Sequence, residues 1–121
     1  MKSILIIEDD IVICEILKEM LEPLDYSIKA ASNGKEGLRL HTRKAFDLII
    51  TDIIMPEMEG LETIMALKQH SPDCKIIAIS GGGRLSKGEY LDTAKKFGAA
   101  RVFTKPFNKE EMTAAVQQLL A

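Results

Sequence analysis

Phe46-Asp47-Leu48-Ile49-Ile50-Thr51-Asp52-Ile53-Ile54-Met55-Pro56-Glu57-Met58-Glu59-Gly60 decides the architecture of this chain. From Phe46 to Ile50 four residues in five are apolar, the continuity of a strand buried on both faces of a sheet. The run closes on a carboxylate, Asp52, and then meets Pro56 and Gly60, neither of which readily extends a strand. Open α/β sheets place their ligands outside the carboxyl ends of the strands. Asp52 therefore marks a candidate site, and every other segment can be asked what it brings there.

Upstream, Ile4-Leu5-Ile6-Ile7 is another short apolar run, followed directly by Glu8-Asp9-Asp10. Ile13, Ile16, Leu17, Met20, Leu21 and Leu24 then recur at helical spacing, with Glu15, Lys18 and Glu19 between them. Asp10 suits the N-cap of that helix and Pro23 limits it. Tyr26 to Ala30 reads as a second strand, weakened by Lys29. Ser32-Asn33-Gly34 is a turn, and Lys35 to Arg43 a short helix with Leu38 inward.

Downstream of Gly60 a helix places Leu61, Ile64, Met65 and Leu67 inward and stops near Ser71-Pro72. Lys75 to Ser80 is a fourth strand. Gly81-Gly82-Gly83 is the most permissive backbone in the chain. The helix after it, Ser86 to Phe97, contains Gly88 and has only a thin stripe of Leu91, Ala94 and Phe97, so it should be loosely held. Arg101 to Thr104 is a fifth strand, broken by Lys105-Pro106-Phe107. Asn108 caps a last helix with Met112, Ala115, Val116 and Leu119 facing in.

Such alternation, without linker or repeat, makes an α/β protein: a doubly wound parallel sheet of five strands with five helices on its two faces. Residues 1–121 read as one domain, and five strands suit the order 2-1-3-4-5. In that order strands one and three are neighbours, so Glu8-Asp9 and Asp52 converge. Sixteen basic and eighteen acidic residues nearly cancel, which excludes a whole-domain basic field for nucleic acid. An apolar fraction of 46% and a charged fraction of 28% are those of a soluble globular protein. No run approaches the roughly 20 apolar residues of a membrane span, and Met1-Lys2-Ser3 leads straight into a strand. Cys14 and Cys74 lack a partner motif and read as thiols in a reducing cytoplasm.

Three carboxylates in one cleft repel each other by roughly 4 kcal/mol per pair at ~4 Å and an effective dielectric of 20. They must take up protons or a cation. Oxygen-only ligands without His or Cys select magnesium, with manganese able to substitute. Ser80 and Lys105 end strands four and five and add a hydroxyl and an ammonium at the same sheet edge. That set fits phosphoryl transfer, with Asp52 as the nucleophile that becomes an aspartyl-phosphate.

These residues carry a resemblance. Glu8-Asp9 after strand one, Thr51-Asp52 with Met55-Pro56 and Gly60 after strand three, Ser80 after strand four and Lys105-Pro106-Phe107 after strand five resemble the receiver domain of bacterial two-component response regulators, end to end. The resemblance implies a flavodoxin-like, CheY-like fold. It implies that Asp52 accepts a phosphoryl group from the phosphohistidine of a sensor histidine kinase or a phosphotransfer protein. Asp9 would be the main acidic metal ligand, with Glu8 helping and the backbone carbonyl of Ile54 completing the protein's share. Lys105 would pair with the acids and then with the phosphoryl oxygens, and the Ser80 hydroxyl would move to meet the phosphoryl group. The Lys105-Pro106 bond is usually cis in this family. Such a domain is a cytoplasmic signalling switch that catalyses only its own phosphorylation and dephosphorylation. Its output is a downstream protein target or an output domain not in this sequence, with no nucleic acid or membrane bound by the receiver itself. A free-standing regulator and a piece of a longer protein both fit a chain ending at Ala121.

Two departures matter. Receivers commonly carry Tyr or Phe three residues before the lysine, where this chain has Val102; Phe103 beside it points to the opposite side of the sheet. Switching then falls to the Gly81-Gly82-Gly83 loop and to the surface of helix four, strand five and helix five. Gly81 also leaves water access to the phosphoryl group, so self-dephosphorylation should be fast. His41 and His70 read as solvated helical surface, and Met55, Met58, Glu57 and Glu59 as loop residues at the rim. Two other readings compete. A haloacid-dehalogenase-like phosphatase wants a second aspartate two residues after the first, where Ile54 stands. A receiver-like interaction module that is never phosphorylated would not need Asp9, Asp52, Ser80 and Lys105 together.

Overall fold

The computed structural model describes residues 1–53, 60–80 and 87–121, the side chains of residues 87–91 excepted. The expectations for Ile54, Met55, Glu57, Met58, Glu59, Gly81-Gly82-Gly83 and the Leu91 side chain lie outside the described residues.

Five parallel strands form one sheet in the order β2-β1-β3-β4-β5. In chain order they are β1 (Ser3–Ile7), β2 (Ser27–Ala31), β3 (Leu48–Asp52), β4 (Lys75–Ser80) and β5 (Arg101–Thr104). The helices are α1 (Ile11–Leu21), α2 (Gly34–Arg43), α3 (Gly60–His70), α4 (Lys87–Phe97) and α5 (Lys109–Leu119). Strand alternation divides the core in two. Ile4, Ile6, Leu48, Ile50, Ile77, Ile79 and Phe103 pack against Leu17, Leu21, Met112 and Val116 of α1 and α5. Leu5, Ile7, Ile49, Ile76 and Ala78 pack against Ile64, Leu67 and Ala94 of α3 and α4, with Leu38 of α2 alongside. Every residue of β3 is buried, which is why this strand reads as a continuous apolar run. The edge strand β2 alternates exposed and half-buried positions instead, and Lys29 takes an exposed one.

The caps follow the sequence. Asp10 Oδ1 accepts from the amide of Val12 at 2.9 Å, Asn33 Oδ1 from Glu36 at 2.8 Å, and Asn108 Oδ1 from Glu111 at 2.9 Å. Pro23 falls in a 3-10 turn, Glu22–Leu24, and Asp25 closes it with φ 63°. Three expectations are corrected. Ile16 and Met65 are 42% and 45% exposed, not inward. Each sits one residue, about 100° of helix rotation, from a fully buried neighbour, Leu17 and Ile64 respectively. Phe46 lies before β3 because its amide donates to His41 Nδ1 (3.1 Å).

That contact also corrects the reading of His41, which is 1% exposed. Its Nε2 lies 3.0 Å from Ser71 Oγ at the end of α3, and its ring stacks on Phe46 with centroids 6.3 Å apart. The signal was in α2 itself: Gly34, Gly37 and His41 recur at helical spacing and are the buried face. His70 is exposed, as expected, with its ring edge-on to His41.

Candidate functional site

Register puts the acids at one edge. Ile7 pairs with Thr51, so Glu8, the next residue of the β1 segment, stands level with Asp52, the last residue of β3. Beyond Asp52 the chain is held close. Ile53 N donates to Ile79 O at 2.9 Å, and the amide of Gly60 returns to Ile53 O at 3.0 Å. A Cβ at Gly60 would run into the backbone of Asp52 and Ile53, so glycine is what lets α3 start against the strand end.

One carboxylate oxygen each from Glu8, Asp9 and Asp52 lies within 4.8 Å of the others. Glu8 and Asp52 are both 5% exposed, whereas Asp9 is exposed. The Lys105 ammonium reaches between the two buried acids, 2.8 Å from Glu8 Oε1 and 3.0 Å from Asp52 Oδ2. The contact with Glu8 is an ion pair: Oε1 is buried without a directed hydrogen bond although the ammonium is close by. Glu8 Oε2 accepts from the amide of Asp10 at 3.1 Å. The backbone of Lys105 is fixed in turn: its amide donates to Ser80 O at 2.9 Å, and the Lys105-Pro106 bond is cis. Ser80 itself is 1% exposed at the end of β4.

The electrostatics follow from burial. Desolvation pushes the Glu8 carboxyl up to about 7; Lys105 opposes this and the Asp52 charge adds to it. Burial alone would lower the Lys105 pKa, but its bonds to Glu8 and Asp52 outweigh that and hold it above the usual lysine range. Among the described residues one lysine faces three acids, so these side chains together are short of positive charge. Hard oxygen donors, a charge deficit and an exposed member that leaves room for water fit a divalent ion such as magnesium. The structure therefore brings together Glu8, Asp9, Asp52 and Lys105 and sets Ser80 at the neighbouring strand end; Ile54 lies outside the described residues.

The sequence pattern of the response regulator receiver domain matches residues 4–117. This chain belongs to that family. Receiver protein CpdR of Brucella abortus is 31% identical over 99% of this receiver and 98% of its own length. The transcriptional regulatory protein ZraR of Klebsiella oxytoca is also 31% identical, over 98% of this receiver, which spans only 26% of that longer protein. Among solved structures, a receiver domain protein from Clostridium thermocellum superposes with a TM-score of 0.89 at 28% identity, covering 98% of this receiver and 94% of that chain. Membership is consistent with phosphorylation-dependent signalling. No helix among the described residues of the receiver is long and apolar enough to cross a membrane.

Val102 and Phe103 fall on opposite faces of the sheet. Val102 is half-buried against the α3/α4 side. Phe103 is 8% exposed on the α1/α5 side, with the Arg101 guanidinium 5.7 Å from its ring. Phe103 thus does not stand in for an aromatic at position 102. Both cysteines are buried, and burial pushes their thiols up, away from reactive thiolates.

Proposed function

We propose that this receiver is a signalling switch that takes a phosphoryl group onto Asp52 from the phosphohistidine of a sensor histidine kinase or a phosphotransfer protein. The observation that carries the reading is the placement of the Asp52 carboxylate. It ends a fully buried strand, within 4.8 Å of two further acids and 3.0 Å from a lysine ammonium. An Asp52 oxygen attacks phosphorus, the nitrogen–phosphorus bond of the donor breaks, and the imidazole leaves with the bond's electron pair. Lys105 then exchanges a carboxylate partner for a phosphoryl oxygen, and the Ser80 hydroxyl donates to another. Glu8, Asp9 and Asp52, with the Ile54 carbonyl, would hold magnesium, which supplies charge neutralisation and orientation at the transferring group. Manganese has the same ligand preferences and would replace it.

Phosphorylation would be read out on the surface of α4, β5 and α5 by a downstream protein or by an output domain joined to the receiver. Because Val102 offers no ring to swing, residues 81–97 carry the change; amide exchange there that is identical with and without a phosphate mimic would refute this. The test of the whole reading is incubation with magnesium and acetyl phosphate followed by intact mass. The protein should gain one phosphoryl group and Asp52→Asn should not. A wild-type protein that stays unlabelled would favour the unphosphorylated interaction module instead.

A further inference from the structure

Lys29, Arg43 and Lys44 gather round one cleft at the opposite edge of the sheet from Asp52. The cleft, about 340 Å³, opens between the starts of β1 and β2 and the last turn of α2. That volume lies within the range of small-molecule sites. Strands rising ~3.3 Å per residue put Ser3 about 16 Å and Lys29, which pairs with Leu5, about 10 Å along the sheet from the level of Glu8, and the cleft shares no lining residue with the acidic site.

Its apolar part is formed by Leu40 and Phe46. Phe46 is not a loose surface ring. Its amide donates to the buried His41 and its ring stacks on the imidazole with planes 22° apart, so this wall is formed before any ligand arrives. The charge is unbalanced too. Among the described residues none of the three cations has an ion-pair partner. Asp47, next to Phe46, is engaged elsewhere: its Oδ2 accepts from the amide of Ser3 at 2.8 Å and from the Ser3 hydroxyl at 3.3 Å. The carboxyl end of α2 contributes about half a negative charge, well short of three positive ones.

We propose that this cleft binds a small aromatic phosphate, its anion held by Lys29, Arg43 and Lys44 and its ring laid on Leu40 and Phe46. A phosphate dianion suits three cations better than a single carboxylate does, and the Arg43 fork matches phosphate oxygens in pairs. Phenyl phosphate is the minimal probe and, not being an acyl phosphate, does not charge Asp52. Titrated into the whole labelled chain in EDTA and followed by amide NMR, it should give saturable shifts in residues 27–29 and 40–46. Its affinity should exceed that of inorganic phosphate and of phenol by at least about tenfold. Arg43→Glu and Lys44→Glu, both at exposed positions, should keep a dispersed spectrum and weaken binding at least about fivefold. Shifts absent from those segments, equal affinity for inorganic phosphate or phenol alone, or indifference to the charge reversals would each overturn the proposal.

Discussion

Lys105 Nζ, just after β5, stands 2.8 Å from Oε1 of Glu8, a carboxylate that follows β1 three strands away in the sheet order and is 5% exposed. The lysine also serves Asp52, so its removal takes away the cation that bridges these two buried acids. Lys105→Met should lower the unfolding free energy by about 1–3 kcal/mol in magnesium-free buffer, the usual cost of stranding a buried polar group. Millimolar magnesium should recover more stability in the variant than in the parent protein, because an ion in the acidic cluster would replace the lost charge. Urea unfolding with and without the ion measures both. An equal gain from magnesium in the two proteins would separate Lys105 from the cluster.

Gly60 tests how closely α3 must seat on the strand that ends in Asp52. Any Cβ there meets the backbone of Asp52 and Ile53, which has no rotamer to adopt. Gly60→Val should cost about 1–3 kcal/mol through overpacking. It should also slow acetyl phosphate labelling of Asp52 by more than its stability loss explains, since small misplacements of a nucleophile are costly. Met65→Ala, on the exposed side of the same helix, should leave both readings near the parent values. Labelling of Gly60→Val at the parent rate would show that the strand end tolerates the shift.

Strand ends and acids were legible because both follow from simple patterns. Ile4 to Ile7, Leu48 to Ile50 and Ile76 to Ile79 are buried on both faces, so each appears as an unbroken apolar run. Once the order of a doubly wound sheet is accepted, Glu8 and Asp52 must meet. What the sequence did not show is packing that depends on rotation or on polarity. Ile16 and Met65 satisfy a loose helical count yet point about 100° away from the seam. His41 hides behind its polarity: a histidine on a charged helix reads as surface until Phe46 and Ser71 are found to satisfy both ring nitrogens.

Asn108 shows the same rule from the favourable side, since its cap was visible in sequence and is made in the structure. Its side chain accepts from Glu111 N at 2.9 Å, and α5 contributes Met112 and Val116 to the core. Asn108→Ala should cost about 1 kcal/mol. Asn108→Asp should cost much less, because it keeps an acceptor at the positive end of the helix. Thermal or urea melts of the two variants check the order; equal losses would mean the hydrogen bond is not what the position supplies.

His41 gives the fold a pH dependence whose sign can be worked out. Nδ1 accepts from the Phe46 amide, so the ring proton sits on Nε2 and points to Ser71 Oγ. Protonating Nδ1 would set two donors against each other. Burial, with the neighbouring His70 adding to it, accordingly lowers the pKa below the ordinary 6.5. The unfolded chain then binds this proton more readily than the folded one. The neutral ring's contribution to stability is complete above about 6.5 and declines as pH falls from there through the lower folded-state value. The parent protein should therefore lose more unfolding free energy between pH 7.5 and 5 than His41→Gln does, since the carboxylates titrate alike in both. At pH 7.5 the variant should be the less stable of the two, because glutamine cannot stack on Phe46. Parallel losses across the pH range would place the acid sensitivity of this receiver elsewhere.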